Sequence, residues 1–391
     1  MKILMVAPEP IFEPRGTPFS VVARLKAFSD MGHQVDLVTY FIGKDVVFPG
    51  VKIVRIPKIP GIKKVKIGPS MTKVPLDFFL FLKTIKMLLR ERYDLLHTHE
   101  EAGFWGAPLS QIFRIPHVYD MHSSLPQQLK NFQFSNSQIL LKIFEGFEKW
   151  VLKYSSAVIT ICPALRDYVK KLYPGIEPVL IENVVDYNMI FGDEDHSENI
   201  RRSLYLKDKK VLLYAGTFEP YQGLDLLIRG AAEVVSKIKQ VTFLMVGGNP
   251  DQIAFYRGMV EKNGLGKYFI FTGQVLPSQV ASYVRCADVL LSPRTAGTNT
   301  PLKIYSYLRS GLPIVATRLL THTQVLNNEV AVLTEPTPED FAQGILMVLN
   351  DKNMAGNIGK KAREMAAEKY SYSVYLDKLG KVIRQTVGRE V

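Results

Sequence analysis

The chain has 391 residues, 47% hydrophobic and 22% charged, with 49 Lys and Arg against 37 Asp and Glu, a net charge of +12. That apolar fraction is enough for the cores of roughly two to three domains of ordinary size, which excludes disorder as a description of the whole. Its two cysteines, Cys162 and Cys286, build no disulfide framework, and no CxxC or clustered His/Cys spacing marks a metal site, so a reducing, cytoplasmic setting is expected.

The opening MKILMVAPEP has too short an apolar run before Pro8 for a signal peptide and reads as a strand. Further strands are expected at 35–39, 52–56, 95–98, 117–120, 157–160 and 179–182, with a helical stretch at 20–31 stopped by Gly32 and a Lys-, Gly- and Pro-rich loop at 61–75. Asp77, Lys83 and Lys86 interrupt the most apolar window, 74–89, so no membrane-spanning helix is expected. A polar, acidic run at 191–199 precedes a second series of strands at 211–215, 242–246, 269–272, 289–291, 314–316 and 331–333. Turn residues follow them, among them Gly216, Gly247, Gly248, Gly273, Pro293 and Thr317. Strands alternating with helices in this way predict an α/β protein with two doubly wound Rossmann-like domains. Ligands of such sheets bind beyond the carboxyl ends of the strands, here in a cleft between domains.

Gly16, near the start of the first helix, allows a phosphate or sugar to approach backbone N–H groups, or else merely makes a turn; the surrounding loop is not GxGxxG, which argues against a nicotinamide dinucleotide. His97 and His99 lie two apart on a strand and superficially resemble a metal pair. Without a third ligand at suitable spacing they read as hydrogen-bonded structural histidines. His122, directly after a strand, is better placed to reach a ligand. The segment 292–317 is the most informative: Thr300 fits a helix cap, Pro301 fits the first turn, and Arg294 and Lys303 flank that helix start with positive charge, as a diphosphate would require.

Taken together, the Gly16 loop, GHQVDLVT, LLHTHEE, VYDMHSS, ICPALRDYV, ENVVD, YAGTFEPYQG, MVGG, FTGQV and PLKIYSYLRSGLPIVAT resemble, in order and spacing, the retaining glycosyltransferases of family 4. The resemblance implies the GT-B type, with an acceptor-side domain at 1–190, a nucleotide-sugar domain at 191–370, and a final helix at 371–391 packing back onto the first. It implies that Gly16 lines the donor phosphates, that His122 sits near the transferred sugar, and that Gly273, Gln274 and Val275 meet the nucleobase. The backbone of Asn299, Thr300, Pro301 and Leu302 then meets the donor, and no metal or other cofactor is expected. Thr298 and Ser306 stand where the family usually has two glutamates, and Thr217 and Gln222 where it usually has an Arg and a Lys. Arg294 and Lys303 are the replacement cations, and a donor site rebuilt from Arg294, Lys303, Thr298 and Ser306 is the expectation. The implied reaction moves a sugar from a nucleotide-diphosphate donor to a glycan or lipid-linked acceptor with retention, in cell-surface polysaccharide or glycolipid synthesis. The alternatives are a non-catalytic relative that binds a nucleotide or glycan, and a sugar-nucleotide epimerase using Glu100, Glu101 or Glu219.

The charge is local. Residues 51–92 hold eleven Lys and Arg against Asp77 and Glu91, a net +9. Lys63, Lys64 and Lys66 in the loop, with Phe78, Phe79, Lys83 and Lys86 on the helix, suit an anionic bilayer surface, while Leu82, Ile85 and Leu89 are expected in the core. No recognition motif points to nucleic acid. Peripheral association with the inner membrane face is expected.

Overall fold

The computed structural model describes residues 1–12, 16–65, 70–127, 137–185 and 187–388, so Arg15 and Lys66 lie outside the described residues. The chain forms two compact units: residues 1–183 with 373–391, and residues 184–372. The first division therefore precedes the acidic run, and the last helix, Tyr372–Val387, belongs to the first unit from Ser373 onward.

The first unit contains β1 (Lys2–Ala7), β2 (Gln34–Thr39), β3 (Val51–Arg55), β4 (Leu95–His99), β5 (His117–Met121), β6 (Ala157–Thr160) and β7 (Val179–Leu180). They form a parallel sheet in the order β3-β2-β1-β4-β5-β6-β7. The second unit contains β8 (Lys210–Ala215), β9 (Val241–Val246), β10 (Phe269–Gly273), β11 (Val289–Ser292), β12 (Ile314–Thr317) and β13 (Val332–Thr334), also parallel, in the order β10-β9-β8-β11-β12-β13. All thirteen strands coincide with the expected apolar runs to within a residue or two at each end. Strands buried on both faces read as continuous apolar runs, and this is why they are legible. The strand order reverses beside β1 and beside β8, so each unit has one switch point where strand ends diverge and a ligand can enter.

Helices Lys73–Arg90 and Gly103–Phe113 press Leu76, Leu80, Leu88 and Leu109 onto Leu4, Val6, Val38 and Leu96. Helices Leu224–Lys237 and Pro338–Asn350 do the same in the second unit with Leu227, Ile228, Phe341 and Ile345. Several expectations are corrected. The first helix, Gly16–Asp30, starts earlier than expected because Pro18 is tolerated in a first turn, where its missing N–H would have no helical acceptor. The loop at 61–75 ends at Thr72, and Lys73 is buried rather than solvated, 2.7 Å from Glu101 Oε1. Leu82 and Leu89 are exposed, because the buried stripe runs through Leu76, Leu80, Thr84 and Leu88 at intervals of four and leaves them off it. Thr300 is not a cap: the helix is Lys303–Ser310, its capping position is Leu302, and Thr300 Oγ1 is buried without a hydrogen-bond partner.

The ends of β8, β9 and β10 are tied by Gly216 N–H donating to Val246 O at 3.0 Å and Gly247 N–H to Gly273 O at 2.9 Å. Gly247 has φ 122°, and a Cβ there would lie 1.9 Å from Gly216 O. Gly247→Ala should destabilise the second unit by roughly 2–3 kcal/mol, read as a lower urea midpoint. An unchanged midpoint would contradict the close backbone approach.

Candidate functional site

In the first unit the ends of β4 and β5 bring His97, His99 and His122 around one carboxylate. Alternation along β4 puts His97 and His99 on one face, and both are fully buried. His97 Nε2 is 3.2 Å from Asp120 Oδ2, His122 Nε2 is 3.3 Å from Asp120 Oδ1, and His99 Nδ1 is 3.0 Å from His122 Nε2. Arg24, on the first helix, donates Nε and Nη2 to Asp120 Oδ2 at 3.0 and 2.9 Å. Burial opposes the charge on Asp120, but Arg24, His122 and His99 overcome it and hold the carboxyl well below its usual range. Burial prevails at His97 and His99, whose values fall below the ordinary imidazole value, so both are neutral. His97, His99 and Asp120 place ligand atoms within 4.8 Å of one another. Asp120 thus supplies a third ligand atom that the spacing of His97 and His99 does not reveal, but Arg24 already engages Oδ2 with a positive charge, which disfavours a metal ion there.

Just beyond β4, Glu100 adopts φ 47° and accepts from Ser123 Oγ at 3.0 Å. Burial, then Glu101, pushes its carboxyl well above the usual range. Glu101 is engaged by Lys73, and Glu219, in the second unit, accepts from Gln252 Nε2 at 3.1 Å. Gly16 has φ 21°, with no atom of the described residues beyond its chain neighbours within 4 Å of where a Cβ would stand.

In the second unit the switch point beside β8 holds a different arrangement. The ammonium of Lys303 is buried, has no hydrogen-bond acceptor among the described residues, and lies 3.6 Å from the centre of the Tyr214 ring. It faces Gly216, directly after β8, at 3.2 Å from where a Cβ would be. Burial, with Arg294 adding to it, pushes the Lys303 amine well below the ordinary lysine value. A ring face offsets only about 0.5–2 kcal/mol of such desolvation. Arg294, by contrast, is occupied: Nε donates to Ala296 O at 2.8 Å, Nη1 to Asn299 O and Thr321 Oγ1 at 3.0 and 3.2 Å, and the guanidinium lies over Tyr221. It organises the 294–299 loop. Thr298 O accepts from Gln324 Nε2 at 2.8 Å, and Ser306 follows Lys303 by three residues on the same helix, half-buried.

Thr217 is exposed, with its carbonyl taken by the Tyr214 hydroxyl at 2.6 Å. Gln222 is buried, and its Oε1 has no hydrogen-bond partner. Gly273 ends β10 with φ 77°, followed by exposed Gln274 and half-buried Val275. A histidine that sequence reasoning passes over, His322, lies behind the loop, with Nε2 2.8 Å from Ser292 Oγ and Nδ1 2.8 Å from Thr317 O. It lacks a strand-end position or a motif partner in sequence, and only folding brings it to β11 and β12.

Two doubly wound parallel sheets in one chain, each with charged side chains at its own switch point, are the architecture of the GT-B type. Residues 15–188 match the model for Glycosyltransferase Family 4, and residues 209–351 that for Glycosyl transferases group 1. Phosphatidyl-myo-inositol mannosyltransferase of Mycobacterium tuberculosis is 25% identical over 99% of this chain and 98% of its own. Sucrose-phosphate synthase from Thermosynechococcus elongatus superposes with TM-score 0.79 at 21% identity, covering 98% of each chain. HepE of Anabaena, solved in complex with UDP-glucose, superposes with TM-score 0.75 at 19% identity, covering 98% of this chain and 99% of that one. The chain belongs to the group 1, family 4 glycosyltransferases.

Because Lys303 binds its proton less tightly folded than unfolded, unfolding takes up a proton between the depressed folded value and the ordinary lysine value. Stability therefore rises as pH climbs from the depressed folded-state value toward the usual lysine value. Lys303→Met should raise stability near pH 7 by roughly 1–3 kcal/mol and abolish this component of the rise with pH. Parallel melts of both proteins across pH check it, and equal pH dependence would contradict it.

Proposed function

We propose that this glycosyltransferase transfers a sugar from a nucleotide-diphosphate donor to a lipid-linked or glycan acceptor at an anionic membrane surface, with retention of configuration. The observation that carries the reading is Lys303, whose buried Nζ has no hydrogen-bond acceptor among the described residues at the switch point of the second unit. A diphosphate placed between Gly216 and the start of the Lys303–Ser310 helix would supply the missing acceptor, and the N–H groups of Leu302 and Lys303, which precede the bonds from Ile304 and Tyr305 to Pro301 O and Leu302 O, would add donors. As the anomeric C–O bond breaks, the electron pair leaves with the diphosphate, and Lys303 and those amides meet the growing negative charge. Arg294 acts one step back by shaping the loop, and Thr298, Ser306, Thr217 and Gln222 supply polar contacts where relatives carry charges. In this reading Gly16 lines the phosphates, His122 meets the sugar, and Gly273, Gln274 and Val275 meet the base. No metal is part of this reading. The UDP-glucose held by HepE supports a nucleotide-sugar donor.

The acceptor side rests on surface chemistry. Phe78, Phe79, Leu82 and Leu89 are exposed on Lys73–Arg90, beside exposed Lys86 and half-buried Lys83, with Lys63 and Lys64 exposed nearby in sequence. A second stripe, Ile139, Ile143, Phe147 and Trp150, is exposed on helix Gln138–Tyr154 at intervals of four, four and three. No described helix is long and apolar enough to cross a membrane. Amphipathic faces of this kind suit the interfacial zone of a bilayer, with the lysines drawn to anionic headgroups. The mannosyltransferase relative, named for phosphatidyl-myo-inositol, supports a lipid-linked acceptor.

Because burial holds the Lys303 amine well below the ordinary lysine value and a bound diphosphate favours its charged form, binding of a nucleoside diphosphate should take up protons at pH values between the depressed and the ordinary value. Calorimetry in buffers of different ionisation enthalpy measures this; binding should be lost in Lys303→Met, and no binding of any common nucleoside diphosphate would refute the donor site. Flotation with vesicles should require anionic lipid and weaken several-fold in Phe78→Ser with Phe79→Ser. Recovery on neutral vesicles equal to that on anionic ones would remove the membrane part.

A further inference from the structure

Tyr119 alternates with Asp120 along β5 and so points to the other face of the sheet, where Ala107 and Val151 of the covering helices pack with it. Near the carboxyl ends of β4 and β5 this face holds a cavity walled by Glu100, Glu101, Glu148, Phe104, Tyr119 and Leu125, with room for about one water-sized group. Its three carboxylates are not used up. Glu148, 1% exposed, accepts from Leu125 N at 2.8 Å, the Tyr168 hydroxyl at 2.6 Å and Ser124 Oγ at 3.3 Å, against the roughly four bonds a carboxylate can accept. Glu101 gives Oε1 to Lys73, but its Oε2 is buried without a hydrogen-bond partner. Among the described residues Lys73 is the one cation paired with any of the three. Burial pushes Glu148 up to about 7 and Glu100 higher than the usual carboxylate range, as expected where negative charge lacks a counterion.

Tyr119 adds an independent vacancy to these carboxylates. It is 3% exposed, and its ring lies against Gly103, where a Cβ would stand 2.7 Å from Tyr119 Cε2. Its hydroxyl nevertheless makes no hydrogen bond among the described residues, although a buried phenol normally finds a partner. A metal ion is a poor occupant, since among the described residues only His97, His99 and Asp120 converge closely enough to share one. A sugar ring is too large. An ammonium group is the size of a water and carries three donors, which the phenol oxygen and the spare carboxylate lone pairs can accept. Phe104 and Tyr119 add an aromatic wall that suits a cation. Phe104 also meets Phe147 at 5.8 Å, so the cavity adjoins the exposed apolar stripe of the Gln138–Tyr154 helix, which itself supplies Glu148.

We infer that this cavity is a site for the primary ammonium of an amino alcohol or amino sugar, with Tyr119 and Glu148 as the residues that select it. On the reading that the first unit receives the acceptor, on which this part rests, the ammonium belongs to the acceptor's head group.

Calorimetry on the full-length protein, with ethanolamine and glucosamine as probes and their N-acetylated forms as neutral controls, tests the site. The amines should bind about tenfold tighter than the controls or better. Tyr119→Phe, which removes a single oxygen, should weaken the amines about three- to tenfold, and Glu148→Gln about tenfold or more, with the controls unaffected. If Glu148→Gln does not fold, Tyr119→Phe carries the test. Vesicles of constant anionic content containing phosphatidylethanolamine or phosphatidylcholine, whose nitrogen has no N–H, separate two sources of the amine. Stronger flotation with phosphatidylethanolamine that Tyr119→Phe removes assigns a lipid head group, and binding of the free amines without that preference assigns a soluble amino alcohol or amino sugar. No amine binding, equal binding of the N-acetylated forms, or an unchanged amine affinity in folded Tyr119→Phe would overturn the inference and leave the cavity to a buried water. Amine binding that Tyr119→Phe weakens, with turnover of a sugar nucleotide indifferent to every amine tried, would instead remove the acceptor reading and keep the ammonium site.

Discussion

A parallel sheet covered by helices on both faces pairs its backbone groups along the strands and fills the space between layers with apolar side chains, so a strand can offer polar chemistry mainly where it ends. Both units obey this constraint. His99 ends β4, Asp120 and His122 bracket the end of β5, Gly216 follows β8, and Ser292 ends β11. The strand order turns at β1 and at β8, which leaves those ends diverging rather than covered. The positions of the candidate groups follow from topology before any chemistry is considered.

Within that frame the two buried cations have opposite electrostatics. Arg24 is matched by Asp120 and capped by Tyr375, so its charge is retained and serves as a fixed part of the first unit. Lys303 has no hydrogen-bond acceptor among the described residues and faces the ring of Tyr214, and burial pushes its amine well below the ordinary lysine value. An unmatched buried charge costs several kcal/mol, far more than an exposed one. A fold that keeps such a group must recover the cost elsewhere, and an anionic ligand is the simplest source. In the proposed reading the deficit of Lys303 is a store of binding energy for a diphosphate, while the charge of Arg24 is already matched by Asp120.

Most of the architecture was legible because fully buried strands announce themselves as apolar runs bounded by glycine and proline. The histidine triplet was half legible. Strand alternation places His97 and His99 on one face, but their common partner, Asp120, is on another strand, and Arg24 looks like an ordinary member of a helix until the sheet order puts β1 beside β4. Lys303 and Arg294 look equivalent in sequence as cations flanking a helix start. Folding separates them, since carbonyls of the intervening loop and Thr321 claim Arg294 and leave Lys303 alone. Thr300 had the composition of a cap, yet the helix begins later, at Lys303, a matter of backbone path that side-chain type does not encode. The lysines of 51–92 divide likewise: Lys73 is spent on Glu101, whereas Lys63, Lys64 and Lys86 reach solvent.

The central claim is that the Lys303 ammonium receives the donor diphosphate, and a crystal structure of the protein with a bound sugar nucleotide tests it most directly. The account predicts a diphosphate oxygen within hydrogen-bond distance of Lys303 Nζ, beside Gly216 and the first turn of the Lys303–Ser310 helix. A nucleotide bound with its diphosphate elsewhere, and Lys303 still facing only the Tyr214 ring, would contradict it.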